Sequence, residues 1–157
     1  MRLAILLVFL LFSCSRQSNW SHERIYSNYS EFSYGKVAHY AKNPIHELDL
    51  EFVRTAEQIK AYIVVHSICP SCASKKMPVR IEIEGTTTIC DADQLDGGQR
   101  LILPESTANM LIEAFGDKKT VNISIPGYRS SIEGEDFEKQ FGKMQRSSLE
   151  NPFRLPF

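Results

Sequence analysis

Apolar and polar positions alternate along much of this chain. Val79, Ile81 and Ile83 are separated by Arg80 and Glu82, a period of two that places the aliphatic side chains on one face of a strand and the charges on the other. Val121, Ile123 and Ile125 alternate in the same way with Asn122 and Ser124 before Pro126-Gly127 breaks the run. Leu50 and Phe52 alternate with Asp49 and Glu51, and residues 60–66 (KAYIVVH) are β-branched and aromatic with no Gly or Pro, a strand signal. Glu84-Gly85 turns the chain into the β-prone residues 86–90, which predicts a hairpin, and Asp96-Gly97-Gly98 marks a turn before residues 100–103. Residues 128–132 complete the predicted strands.

Two stretches change period. Met110, Leu111, Ala114 and Phe115 fall on one face of a helix over residues 107–115, with Ser106 as the expected N-cap and Gly116 as the expected left-handed terminator. A second helix is predicted over residues 135–144, burying Phe137, Phe141 and Met144. The fold class that follows is mainly β: an antiparallel β-sandwich or small barrel of about six strands with one or two short accessory helices.

The N-terminus follows a different pattern. Residues 1–12 read MRLAILLVFLLF, with one Arg followed by ten apolar residues. A helix needs roughly 20 such residues to cross a bilayer, so this length matches the core of a signal peptide. The next positions, Leu11-Phe12-Ser13-Cys14, resemble the bacterial lipobox, with a small Ser before the Cys and Leu two residues further back. The resemblance implies cleavage after residue 13 and a diacylglyceryl thioether on Cys14. Phe12 departs from the small or aliphatic residue usual at its position. Ser15 after the lipidated Cys, by similarity to the enterobacterial sorting pattern, favours the outer membrane over the inner. The division expected along the chain is a signal peptide over 1–13, a tether rich in Ser, Asn, Tyr and His over 14–43, a β-rich domain over 44–146 and an extended tail over 147–157.

Composition narrows the partners. A formal charge of -1 leaves no electrostatic footprint for nucleic acid, while 43% hydrophobic residues supply enough apolar surface for a packed core.

The remaining cysteines, Cys69, Cys72 and Cys90, allow three readings. Cys69-Pro70-Ser71-Cys72 has the spacing of a thiol-disulfide redox site, but only residues 73–77 separate it from Pro78 and the next strand. That is too short for the helix whose N-terminus would activate the first thiol. His66, Cys69, Cys72 and Cys90 form a conceivable tetrahedral zinc set, against which stands the oxidising character of exported compartments. A structural disulfide among the three is the preferred reading, with its pairing open. His22, His39 and His46 fall outside any recognisable triad, no Ser has the flanking glycines of a nucleophile elbow, and Gly97-Gly98 leads into a strand and not a phosphate loop. No metal and no cofactor is expected.

Residues 110–144 (MLIEAFGDKKTVNISIPGYRSSIEGEDFEKQFGKM) resemble the C-terminal part of the bacterial invasion-associated protein B family. The shared pattern is a short helix, a Lys/Gly turn, a strand pair and a final Phe-containing helix. The resemblance implies an exported β-sandwich-like domain and carries no site residue over. The resulting expectation is a lipid-anchored, non-catalytic binding or envelope-assembly module with a membrane contact through Cys14 and an envelope protein partner. The alternatives are a redox protein using Cys69 and Cys72, or a metal-binding lipoprotein.

Overall fold

The computed structural model describes residues 19–26, 33–66 and 75–147. The strands are β1 (Trp20–Ile25), β2 (Tyr34–His39), β3 (Asp49–Arg54), β4 (Ile59–Val64), β5 (Lys76–Ile83), β6 (Thr86–Gln94), β7 (Arg100–Ile102), β8 (Thr120–Ile125) and β9 (Tyr128–Glu133). The helices are α1 (Glu105–Gly116), between β7 and β8, and α2 (Phe137–Arg146), after β9. All strands join one sheet in the order β1-β2-β3-β4-β7-β6-β5-β8-β9, and every ladder is antiparallel.

The β-dominated class holds, but the sheet is single, open and larger than six strands. The reason lies on its apolar face. Leu50, Phe52, Ala61, Ile63, Val79, Ile81, Leu101, Val121, Ile123 and Ile132 line that face, and the layer that covers it is helical. Leu111 and Phe115 of α1 and Phe137, Phe141 and Met144 of α2 fill the space a second sheet would occupy. The sheet curls around these helices until its two end strands approach, where Trp20 Nε1 donates to the Glu133 carbonyl at 2.8 Å. No ladder joins β1 to β9, so the barrel is never closed.

Strands β1 and β2 fall within the stretch expected as a tether over 14–43. Both are fully paired in the sheet. What fixes them is the aromatic core: Trp20 is 1% exposed and meets Phe115 and Phe137 edge-on at ring-centroid distances of 5.0 and 4.8 Å. The folded body therefore begins well before residue 44. The lipobox with Cys14, the segment carrying Cys69 and Cys72, and the tail from residue 148 lie outside the described residues. Among the described residues no helix is long and apolar enough to cross a membrane.

Helix ends also differ from expectation. Ser106 lies inside α1, whose N-cap is Pro104; the Pro104 carbonyl accepts from Ala108 N–H at 2.9 Å. Proline has no N–H to satisfy, and its fixed φ suits a helix entry. At the other end Gly116 is still helical, and the left-handed residue is Lys118, φ 60°. Lys119 N–H reaches Ala114 O and Lys118 N–H reaches Phe115 O, both at 3.0 Å, the two bonds of a Schellman closure. The glycine this corner requires is Gly134: a Cβ there would lie 2.8 Å from Phe115 O and 2.9 Å from Lys118 Cα. That close approach lets the end of β9 lie against the end of α1 before the chain enters α2.

The hairpin predicted at Glu84-Gly85 forms, with φ of 50° and 82° at the two residues, the left-handed pair that matches strand twist. At the far end of α2, Arg54 Nη1 donates to the carbonyls of Met144 and Ser147 at 2.9 and 3.0 Å. A cation is thus placed where the helix exposes unpaired acceptors.

Candidate functional site

The polar face of the sheet, opposite the helices, carries the organised chemistry. Tyr34 and Lys36 of β2, Glu51 and Val53 of β3, Tyr62 and Val64 of β4 and Arg100 of β7 line a groove of about 350 Å³. The strand register builds it. Glu51 faces Ala38 on one side and Tyr62 on the other, while Val64 faces Arg100. Alternation sends these side chains away from the helices while Leu50, Phe52 and Leu101 point into the core.

Glu51 is the centre of the groove. It is only 8% exposed, and a carboxylate so buried requires paired partners. Lys36 Nζ lies 3.3 Å from Oε1, and the Arg100 guanidinium donates to Oε2. Lys36 also donates to the Tyr40 hydroxyl at 3.1 Å, and that hydroxyl donates to Glu23 Oε1 at 2.7 Å. Burial works against the Lys36 charge, but the hydrogen bonds to Tyr40 and Glu23 and the Glu51 charge outweigh it and raise its pKa. On the opposite wall Arg100 stacks over the Tyr62 ring, 4.3 Å from its centroid, a cation–π contact that fixes the guanidinium plane. Arg100 Nε is buried with no hydrogen-bond partner among the described residues. The groove therefore combines two aromatic rings, two valines and a charge cluster whose members hold one another in place.

At its end, Asp49 accepts from Ala41 N–H at 2.7 Å and meets His66 Nε2 at 2.8 Å. His66 leads into residues 67–74, which include Cys69 and Cys72 and lie outside the described residues.

Of the four cysteines singled out in the sequence, Cys90 alone lies among the described residues. Among the described residues its thiol is free and half-buried. Burial raises its pKa against the opposing hydrogen bond with Thr107; a raised pKa disfavours the thiolate that redox or zinc chemistry needs. Cys90 sits on the helix-covered face, against Thr107 of α1, whereas His66 is drawn to Asp49 on the other face. Those two members of the conceivable zinc set are therefore separated by the sheet, and the described residues contain no cluster of three groups able to hold a metal.

The histidines lie within the body. His39 packs edge-on against Trp20 at 5.5 Å, with Nδ1 unpartnered among the described residues and its pKa lowered by burial. His22 on β1 has its pKa lowered by burial, then by Arg24 and Lys143. The sequence reading missed the groove entirely. Its signal was present as Glu51, an acid between two apolar core positions, but the cations that bury it stand 15 and 49 residues away.

Compared with family models, curated proteins and solved structures, the chain finds no match in any of the three.

Proposed function

We propose that this chain is an exported lipoprotein, anchored through Cys14, whose folded body is a binding module using the groove across β2, β3, β4 and β7. The observation that carries the binding role is the locked cluster of Glu51, Lys36, Arg100 and Tyr62. A set of side chains fixed before a partner arrives loses little freedom on binding. Aromatic rings beside arginine are also the residue types that dominate protein–protein affinity. The anchor half of the reading rests on the lipobox-like residues 11–14. An extended segment of an envelope protein, offering an acidic or amide group to Arg100 and apolar side chains to Tyr62 and Val64, is the partner chemistry that fits.

The test replaces Tyr62 with a photo-crosslinking amino acid in the full chain, expressed in its own cell envelope. One crosslinked envelope protein is expected, lost on Arg100→Glu while a crosslinker at exposed Ile89 captures nothing. Equal capture at both positions, or capture indifferent to Arg100→Glu, overturns the groove. In parallel, Cys14→Ala should abolish acyl-chain labelling and release the protein from membranes, since each buried methylene contributes about 0.8 kcal/mol to anchoring. Unchanged labelling overturns the lipoprotein reading.

A further inference from the structure

A second concavity, of about 300 Å³, lies on the same polar face at the other end of the sheet. It is lined by Arg80, Glu82, Asn122, Ser124 and Arg129. Register explains why these side chains meet. Arg80 of β5 stands opposite Ser124 of β8, and Ser124 stands opposite Arg129 of β9. One row across three strands therefore reads Arg-Ser-Arg, with the arginines about 10 Å apart at Cα and both longer than the gap to the serine between them. The adjacent row holds Glu82 opposite Asn122, about 7 Å further along the strands.

The two arginines are under-used. Among the described residues neither forms an ion pair, and Arg80 donates only to Thr87 Oγ1, at 3.4 Å. Their backbones are nonetheless well held: Arg129 N–H donates to the His46 carbonyl at 3.0 Å, and Arg80 is paired on both sides in the middle of the sheet. Two planar guanidinium forks lining one cleft with a hydroxyl and an amide suit a tetrahedral or planar oxyanion. Glu82 in the neighbouring row changes the specificity. A bare polyanion would be repelled by it, whereas a ligand with a donor beside its anionic group would use it.

We propose that this cleft binds a phosphate ester carrying an amine next to the phosphate, as in phosphoethanolamine. Arg80, Ser124 and Arg129 take the phosphate oxygens, and Glu82 with Asn122 takes the ammonium. The same group occurs as a lipid headgroup and as a soluble ester, and both present the same atoms. The site is independent of the groove around Glu51.

The test is an amide NMR titration of the full chain in detergent micelles, reading Ser124 and Arg129. Soluble phosphoethanolamine is expected to give saturating shifts with a Kd on the order of 0.1–1 mM. Arg129→Gln or Arg80→Gln should each weaken binding about tenfold, the loss typical of one charge-assisted contact. Glu82→Gln should weaken phosphoethanolamine but tighten inorganic phosphate, a reversal that general loss of structure cannot produce. Bicelles of phosphatidylethanolamine that shift the same amides, where phosphatidylcholine bicelles do not, assign the ligand to the lipid headgroup. Shifts with the soluble ester alone assign it to a soluble metabolite class. No saturable shift at Ser124 and Arg129, or affinities untouched in both arginine variants, overturns the proposal.

Discussion

Trp20→Ala should cost this protein several kcal/mol of stability. Trp20 is the single tryptophan of the chain and is 1% exposed. A tryptophan buries about 150–250 Å², which at about 25 cal/mol per Å² is worth about 4–6 kcal/mol as an upper bound. Truncation of large buried aromatics to Ala costs about 3–5 kcal/mol, so the two routes agree. The indole N–H adds a bond to the Glu133 carbonyl, and Trp20→Phe isolates that term at about 1 kcal/mol plus the lost ring area. The assay is urea denaturation followed by far-UV circular dichroism, because the substitution removes the fluorophore. Wild-type fluorescence supplies an independent check: a buried indole emits at shorter wavelength and shifts red on unfolding. If residues 14–43 were a tether, Trp20→Ala would change stability by less than about 0.5 kcal/mol, as surface substitutions do, and emission would already be red in the native protein. Either result refutes the packing of β1 into the core.

Three further outcomes follow from named contacts. Gly134→Ala should destabilise by about 1–3 kcal/mol, because its Cβ meets backbone of α1, while Gly116→Ala, with open space around it, should be neutral or slightly stabilising; equal urea midpoints would refute the close approach. Arg54→Ala should lower stability by about 1–2 kcal/mol through the lost bonds to the carbonyls of Met144 in α2 and of Ser147 just past its end, with loss of helical ellipticity before global unfolding. His39 has a folded pKa below its unfolded value of about 6.5. The unfolded chain therefore binds more protons below that pH, and stability should fall as pH drops below about 6.5. His39→Gln should flatten the slope, and His22 contributes with the same sign; parallel slopes for wild type and His39→Gln would contradict the assignment.

The strands with aliphatic residues at every inward position could be read from the sequence. β5 with Val79 and Ile81, and β8 with Val121 and Ile123, bury those side chains and turn Arg80 and Asn122 outward. Strands β1 and β2 were hidden because most of their inward positions are not aliphatic. In β2 these are Gly35, Val37 and His39, and Gly35 is small because Met144 of α2 lies against it, a Cβ there falling 2.9 Å from Met144 Cγ. In β1 the inward residues are Trp20 and His22, in a stretch whose polarity matches a linker. Such positions make sense only once the helix above them is placed, and α2 arrives more than a hundred residues later. The groove and the Arg80–Arg129 cleft were illegible for the same reason. Outward residues of a strand read as solvated charges until the ladder shows which of them are neighbours.

If Cys14 carries the proposed lipid, the start of β1 at Trp20 sets a geometric limit on how far the body can stand from the membrane. Six residue steps separate Cys14 from Trp20, and a fully extended chain spans at most about 3.3–3.6 Å per residue, or about 20 Å in all. That is less than the thickness of a bilayer's hydrocarbon core, about 30 Å. A lipid on Cys14 would therefore act as a short leash, keeping the β1 edge within about two nanometres of the headgroups and restricting the tilts the body can sample. Effective concentration at the membrane surface rises steeply as such a leash shortens. Lengthening it by inserting a flexible segment between residues 15 and 19 would then tune the proposed partner capture without touching the groove around Glu51 or the Arg80–Arg129 cleft.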